Sequence, residues 1–230
     1  MNENTLTDIS FELDQTDLFR QWQIDEQFAD DVEEFGGLIE RARVIGRPKG
    51  LWREFPLRTS GKDSVEIGGR EFHSRLLTKM LKGKTRGWIF CITCGKESDA
   101  LLDPADPLVS WRADELRMQM LHAARQAVEN DLKTRCRIAK VISLAPGSGQ
   151  TEQLWSITAL RDLFALAGGD FTTRLGVELT PEYLMLPAKT VCGIFVESAH
   201  DFQSCMLCRK ENCPSRRAAF EQAAWDMVNH

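Results

Sequence analysis

Gly87-Trp88-Ile89-Phe90-Cys91-Ile92-Thr93 is a seven-residue run in which nearly every side chain is apolar. It is too apolar and too short for anything but a buried strand. It ends at Cys94-Gly95-Lys96-Glu97, where the chain turns polar. A second strand of the same kind is expected over Thr190–Glu197, where Val191, Ile194 and Val196 suggest burial on both faces. Shorter extended segments are expected at Trp52–Leu57, at Val65 and Ile67 before the Gly68-Gly69 turn, and at Val141–Leu144. Helical spacing surrounds these strands. Phe28, Val32, Phe35, Ile39 and Ala42 put one apolar face on a helix from Asp25 to Gly46. Leu116, Met120, Ala124 and Val128 do the same for a long helix from Trp111 to Thr134. Within it, Met118, Met120 and Leu121 read as core packing, with a methionine-lined ligand site as the other reading. Further helices are expected over Glu71–Leu81, from Leu154 through Phe164 to Gly168-Gly169, and over Ser215–Val228. A short helical turn from Thr180, with Pro181 at its first position, is expected to reach Tyr183. The pattern is one α+β domain over residues 1–230, with a mixed or antiparallel sheet flanked by helices.

At 230 residues the chain suits one large domain, and a formal net charge of −5 argues against nucleic acid as its main partner. The polar opening Met1-Asn2-Glu3-Asn4 does not resemble a secretory leader, and no run approaches about 18 consecutive apolar residues, so no membrane span is expected. Seven cysteines, odd in number and mostly clustered, fit a reducing cytoplasm and metal binding better than a disulfide framework.

The candidate chemistry lies in Phe202-Gln203-Ser204-Cys205-Met206-Leu207-Cys208-Arg209-Lys210-Glu211-Asn212-Cys213-Pro214. Cys205, Cys208 and Cys213 stand at C-x2-C-x4-C in a polar loop over residues 205–213 that holds too little apolar surface to order itself. Three thiolates on one metal centre would order it. An iron–sulfur cluster, of the four-iron type, is favoured over zinc. The preferred fourth ligand is Cys94, which ends a strand beside Gly95 and Lys96; Cys192, in the strand just before the loop, is the alternative. Cys91 and Cys94 also form a C-x2-C pair, but residues three apart in a strand face opposite sides. Cys91 and Cys136 read as core or incidental. The histidines His73, His122, His200 and His230 form no ligand pair. Pro146-Gly147-Ser148-Gly149-Gln150-Thr151 lacks the lysine of a phosphate loop and reads as a turn.

Four segments follow one another in a recognisable order: Ser143-Leu144-Ala145-Pro146-Gly147-Ser148, then Leu163-Phe164, then Leu175-Gly176-Val177-Glu178-Leu179-Thr180, then Met185-Leu186-Pro187-Ala188-Lys189-Thr190-Val191-Cys192-Gly193. Together they resemble the activation domain of cobalamin-dependent methionine synthase, and more closely its free-standing relatives with a C-terminal C-x2-C-x4-C-P followed by arginines, here Arg216 and Arg217. The likeness is strongest from about Val141 to Phe220 and weaker through Phe55-Pro56, Phe72-His73-Ser74 and Thr93-Cys94-Gly95. The resemblance implies an accessory role in corrinoid-dependent methyl transfer, with a corrinoid protein or corrinoid methyltransferase as partner and source of the corrinoid. It also implies S-adenosylmethionine (AdoMet) as a ligand at Ala145, Pro146, Gly147 and Ser148. The family's loop reads roughly R-P-A-P-G-Y, and here Ser143 and Ser148 stand at the arginine and tyrosine positions. Neither serine replaces a bidentate guanidinium or a ring, so weak AdoMet affinity or none is expected. Two functions remain open at this point: reductive reactivation of the corrinoid through the cluster, and a non-catalytic corrinoid-protein-binding module whose metal is structural.

Overall fold

A computed structural model describes residues 2–25, 27–148, 154–213 and 216–229. Its centre is a seven-stranded sheet in which every pairing is antiparallel. The apolar run from Gly87 to Thr93 lies in β5 (Arg86–Thr93), flanked by β2 (Lys49–Thr59) and β9 (Thr190–Glu197). Strands β3 (Ser64–Ile67) and β4 (Arg70–His73) extend the β2 side, β6 (Val141–Leu144) closes the β9 side, and β1 (Glu3–Leu6) pairs with the first half of β2. A two-stranded hairpin of β7 (Glu178–Leu179) and β8 (Met185–Leu186) stands apart.

Side-chain alternation along the strands makes two separate cores. One face presents Leu51, Ile89, Cys91, Cys192 and Ile194. It is covered by α3 (Arg75–Met80), α5 (Leu160–Ala167), α6 (Asp170–Leu175) and α7 (Gln222–Asn229). The other face presents Trp52, Trp88, Phe90, Ile92 and Phe195. It is covered by α1 (Gln15–Trp22), α2 (Ala29–Ile45) and the 30-residue α4 (Pro107–Cys136). Asp106 caps α4 by accepting from the Leu108 and Val109 amides, with Pro107 at the first helical position. Phe90 and Phe195 stack with ring centroids 4.0 Å apart on this face, and the Trp52 indole donates to Asp131 of α4 at 2.8 Å.

Several expectations are corrected. Arg70–His73 pairs with β3 as a strand, so the helix expected from Glu71 starts only at Arg75, where Ser74 Oγ accepts from the Leu77 amide at 3.0 Å. The turn expected as helix at Thr180–Tyr183 is the hairpin connection. Thr180 Oγ1 does cap it, accepting from the Leu184 amide at 3.2 Å, but Tyr183 adopts φ 64° and sends the chain back as β8. The helix expected from Ser215 begins at Gln222, and Ser215 itself lies outside the described residues.

Candidate functional site

The Ala145–Ser148 turn leaves the end of β6 and is held there by an unusually close strand contact. A Cβ on Gly193 of β9 would lie 2.0 Å from the Leu144 carbonyl oxygen, so only glycine lets the two strands approach this far. Gly147, at φ 69°, donates its amide to the Trp155 carbonyl at 3.0 Å, and Ser148 Oγ donates to the Ala145 carbonyl at 2.9 Å. The turn forms one wall of a groove of about 360 Å³. Thr190–Cys192 form another wall, and the β7–β8 hairpin supplies Tyr183 to Leu186. Ile157, Leu184 and Leu186 at this groove are exposed apolar side chains. Gly149, Gln150 and Thr151 of the phosphate-loop reading lie outside the described residues.

Ser143 faces the α4 side of the sheet. Arg125 of α4 meets it, donating from Nη2 to Ser143 Oγ at 2.6 Å and from Nε to Glu129 at 2.9 Å. A guanidinium from α4 therefore stands beside Ser143. Nothing local in the sequence connects the two residues; only the sheet topology does.

The cysteine loop has its own anchors. Leu207 is fully buried in the core that also holds Leu76 and Leu77 of α3 and Val228 of α7, and Phe202 enters the same core. Arg216 ties the backbone together. Its Nη1 donates to the carbonyls of Ala218 at 3.0 Å and, weakly, of Cys205 at 3.5 Å. Its Nη2 donates to the carbonyls of Cys208 at 3.2 Å and of Lys210. The Arg209 guanidinium lies over the rings of Phe220 and Trp225, about 5 Å from each. The loop thus has two anchors the sequence analysis did not name, one buried leucine and one arginine. Cys205, Cys208 and Cys213 are all half-buried. Burial pushes the Cys205 thiol up, but the backbone amides of Arg217 and Ala218 and the Arg217 guanidinium outweigh it, and the net shift is downward. Pro214 lies outside the described residues.

The two candidates for a fourth ligand are on opposite sides of the sheet. Cys94 packs in the α1–α2–α4 core, with Sγ 3.2 Å from Ser98 Oγ. Its thiol is raised by burial, against the lowering effects of Ser98 and Arg117. No space opens beside it, since a Cβ on Gly95 would meet the Arg47 carbonyl oxygen at 2.2 Å. Cys192 packs in the core that receives Leu207. It is the register partner of Cys91, and burial together with that neighbouring thiol raises it well above the ordinary value. Among the described residues, no three His, Cys, Asp or Glu side chains converge as a metal ion would require. The loop nonetheless suits a thiophilic metal group in its donor chemistry, with three accessible thiols within nine residues and one of them already biased toward thiolate. No helix among the described residues is long and apolar enough to cross a membrane.

No family model matches the chain, and no match to a curated protein was found. Among solved structures, the chain is similar to the crystal structure of the MetH reactivation domain bound to AdoHcy, with a TM-score of 0.59 over 88% of this chain and 81% of that one. At 17% identity the likeness is one of fold, and the α+β domain described above is a methionine synthase activation-domain-like fold.

Proposed function

We propose that the protein is an accessory component of corrinoid-dependent methyl transfer. It docks on a corrinoid protein and supports reductive reactivation of that protein's cobalt. Cys205, Cys208 and Cys213 hold an iron–sulfur cluster for this purpose. The observation that carries the reading is the cysteine loop on this fold: three accessible thiols in a segment whose carbonyls Arg216 gathers and whose first thiol is lowered by two backbone amides. A bound cluster supplies one-electron chemistry, at potentials that extend low enough to assist cobalt(II) reduction. The chain's own contribution is to hold and shield. Amide donors at Cys205 stabilise thiolate, Leu207 fixes the loop to the domain, and the exposed Ile157, Leu184 and Leu186 around the groove form an apolar docking face. The groove along Ala145, Pro146, Gly147 and Ser148 is assigned to AdoMet as a weakly held second ligand.

For the fourth cluster position, the preferred Cys94 is disfavoured by its place on the far face, and the alternative, Cys192, becomes the better cysteine candidate because it shares a core with Leu207. An open iron site is the outcome if Cys192→Ser leaves the cluster intact. A second reading, a corrinoid-protein-binding module with structural zinc, is favoured by the loop's having anchors of its own.

One experiment separates them. The anaerobic protein is mixed with a cobalamin-binding domain of methionine synthase carrying cob(II)alamin, with a low-potential reductant present, and the visible spectrum is followed. Faster loss of the cob(II)alamin band, abolished by Cys208→Ser, supports reactivation. Complex formation with no change in reduction supports the second reading, and no complex at all removes both.

A further inference from the structure

A cleft of about 570 Å³ lies between α4 and the chain that follows the cysteine loop. Met118, Leu121 and Val191 line its apolar part, and His122, Arg125, Arg216 and Arg217 line the rest. No carboxylate is among the described residues lining it. Met120 is fully buried, Leu121 belongs to the same core and Met118 packs against it, and the edges of Leu121 and Met118 also line this cleft.

The chain carries a net charge of −5, yet three guanidiniums and an imidazole surround this one concavity. Among the described residues, Arg125 alone of the three arginines pairs with a carboxylate, that of Glu129. Arg216 spends its donors on uncharged carbonyls, which leave its charge in place. Burial and the charges of Arg217 and Arg125 all push the His122 imidazole toward its neutral form. Like charges held around one pocket repel, and an anion between them converts repulsion into attraction. The volume is that of a small-molecule site.

We propose that this cleft binds a small anion with a carboxylate or phosphate head, held by Arg125 and Arg217, and a compact apolar body lying over Met118, Leu121 and Val191. The cleft shares residues with the corrinoid reading, since Arg217 lies against Cys205 and Arg125 against Ser143, but anion binding needs neither a cluster nor a corrinoid and is read without them. It is tested by calorimetry on the full-length protein as purified, with inorganic phosphate, phenyl phosphate and phenylacetate as probes. Phenyl phosphate or phenylacetate should bind about tenfold or more tightly than inorganic phosphate, because only they bury an apolar body. The better of the two identifies the head group. Arg125→Gln and, separately, Arg217→Gln should each weaken that binding about tenfold or more. Arg135→Gln, at the far end of α4, should leave it unchanged. Circular dichroism and the melting temperature of each variant establish that it folds, and with two independent variants a misfolded one leaves the test intact. Absence of binding by all three probes at millimolar concentration overturns the proposal, as does binding that survives both arginine substitutions or that falls equally with Arg135→Gln.

Discussion

Replacing Arg216 with alanine removes the donors that gather the cysteine loop. The wild-type side chain serves the carbonyls of Ala218 at 3.0 Å, Cys208 at 3.2 Å and Lys210, with a weaker contact to Cys205 at 3.5 Å. A buried hydrogen bond to a charged group contributes about 1.5–3 kcal/mol. The carbonyls here are partly hydrated, so water recovers much of that when the guanidinium leaves, and the net loss for the whole set is about 2–3 kcal/mol. The loss falls on opening of the loop, because among the described residues the Arg216 side chain bonds within residues 205–218 and makes no hydrogen bond to the sheet. Such a loss raises the population of the open loop about 30- to 150-fold. Hydrogen exchange reads this directly at the amides of Cys208, which donates to the Cys205 carbonyl at 3.1 Å, and Glu221, which donates to the Met206 carbonyl at 2.9 Å. Both should exchange faster by that factor while amides in β5 and β9 keep their protection. Exchange within about threefold of wild type at both amides would refute the claim that Arg216 orders the loop. Equal acceleration in the sheet would show that the loop is not a separate unit.

Gly193→Ala should cost more than about 3 kcal/mol in urea unfolding, since the added Cβ would have to displace the Leu144 carbonyl, a backbone atom between two paired strands; a loss under about 1 kcal/mol would contradict the close approach. Asp131 is raised by burial but pulled down further by Arg135, Asn4 and Trp52, so its folded pKa lies below the ordinary 3.8. The sign follows: its contribution to stability is fully present above that ordinary value and is lost as pH falls through the folded one. Asp131→Asn should therefore lose less stability than wild type between neutral pH and the acid limb, and an equal acid loss in both would remove Asp131 from the explanation. AdoMet should bind about ten- to a hundredfold more weakly than to a domain of this fold that carries the arginine and tyrosine at the positions of Ser143 and Ser148. Low-micromolar binding by calorimetry would mean that Arg125, beside Ser143, restores the clamp from α4.

The parts of the fold visible in the sequence were those whose signal is local. Strands β5 and β9 are continuous apolar runs, and α4 keeps an apolar residue every four positions for much of its length, so each declares its own type. Strand β1 was hidden because it is held by β2 rather than by a pattern of its own, whereas α1 carried a signal that was missed, Asp14 as N-cap with Leu18, Phe19 and Trp22 on one face. Arg70–His73 followed the same rule, as a strand that exists through its pairing with β3. Ser74 carried the missed signal for where the next helix begins. For the site, the cysteine spacing was legible and the fourth ligand was not. Strand period alone puts Cys94 on the side of Trp88, Phe90 and Ile92, opposite Cys91, but which helices cover that side depends on topology. Arg125 shows the same limit: it is an unremarkable polar residue one turn after Leu121 until β6 brings Ser143 to it.

The proposal stands or falls most directly on what the cysteine loop holds. Protein purified without oxygen is assayed for iron, sulfide and zinc, and its visible absorption recorded, for wild type and Cys208→Ser. A brown protein with about four iron atoms per chain, matched by sulfide and lost in Cys208→Ser, is the predicted result. One zinc per chain, with no iron and no visible absorption, would contradict it.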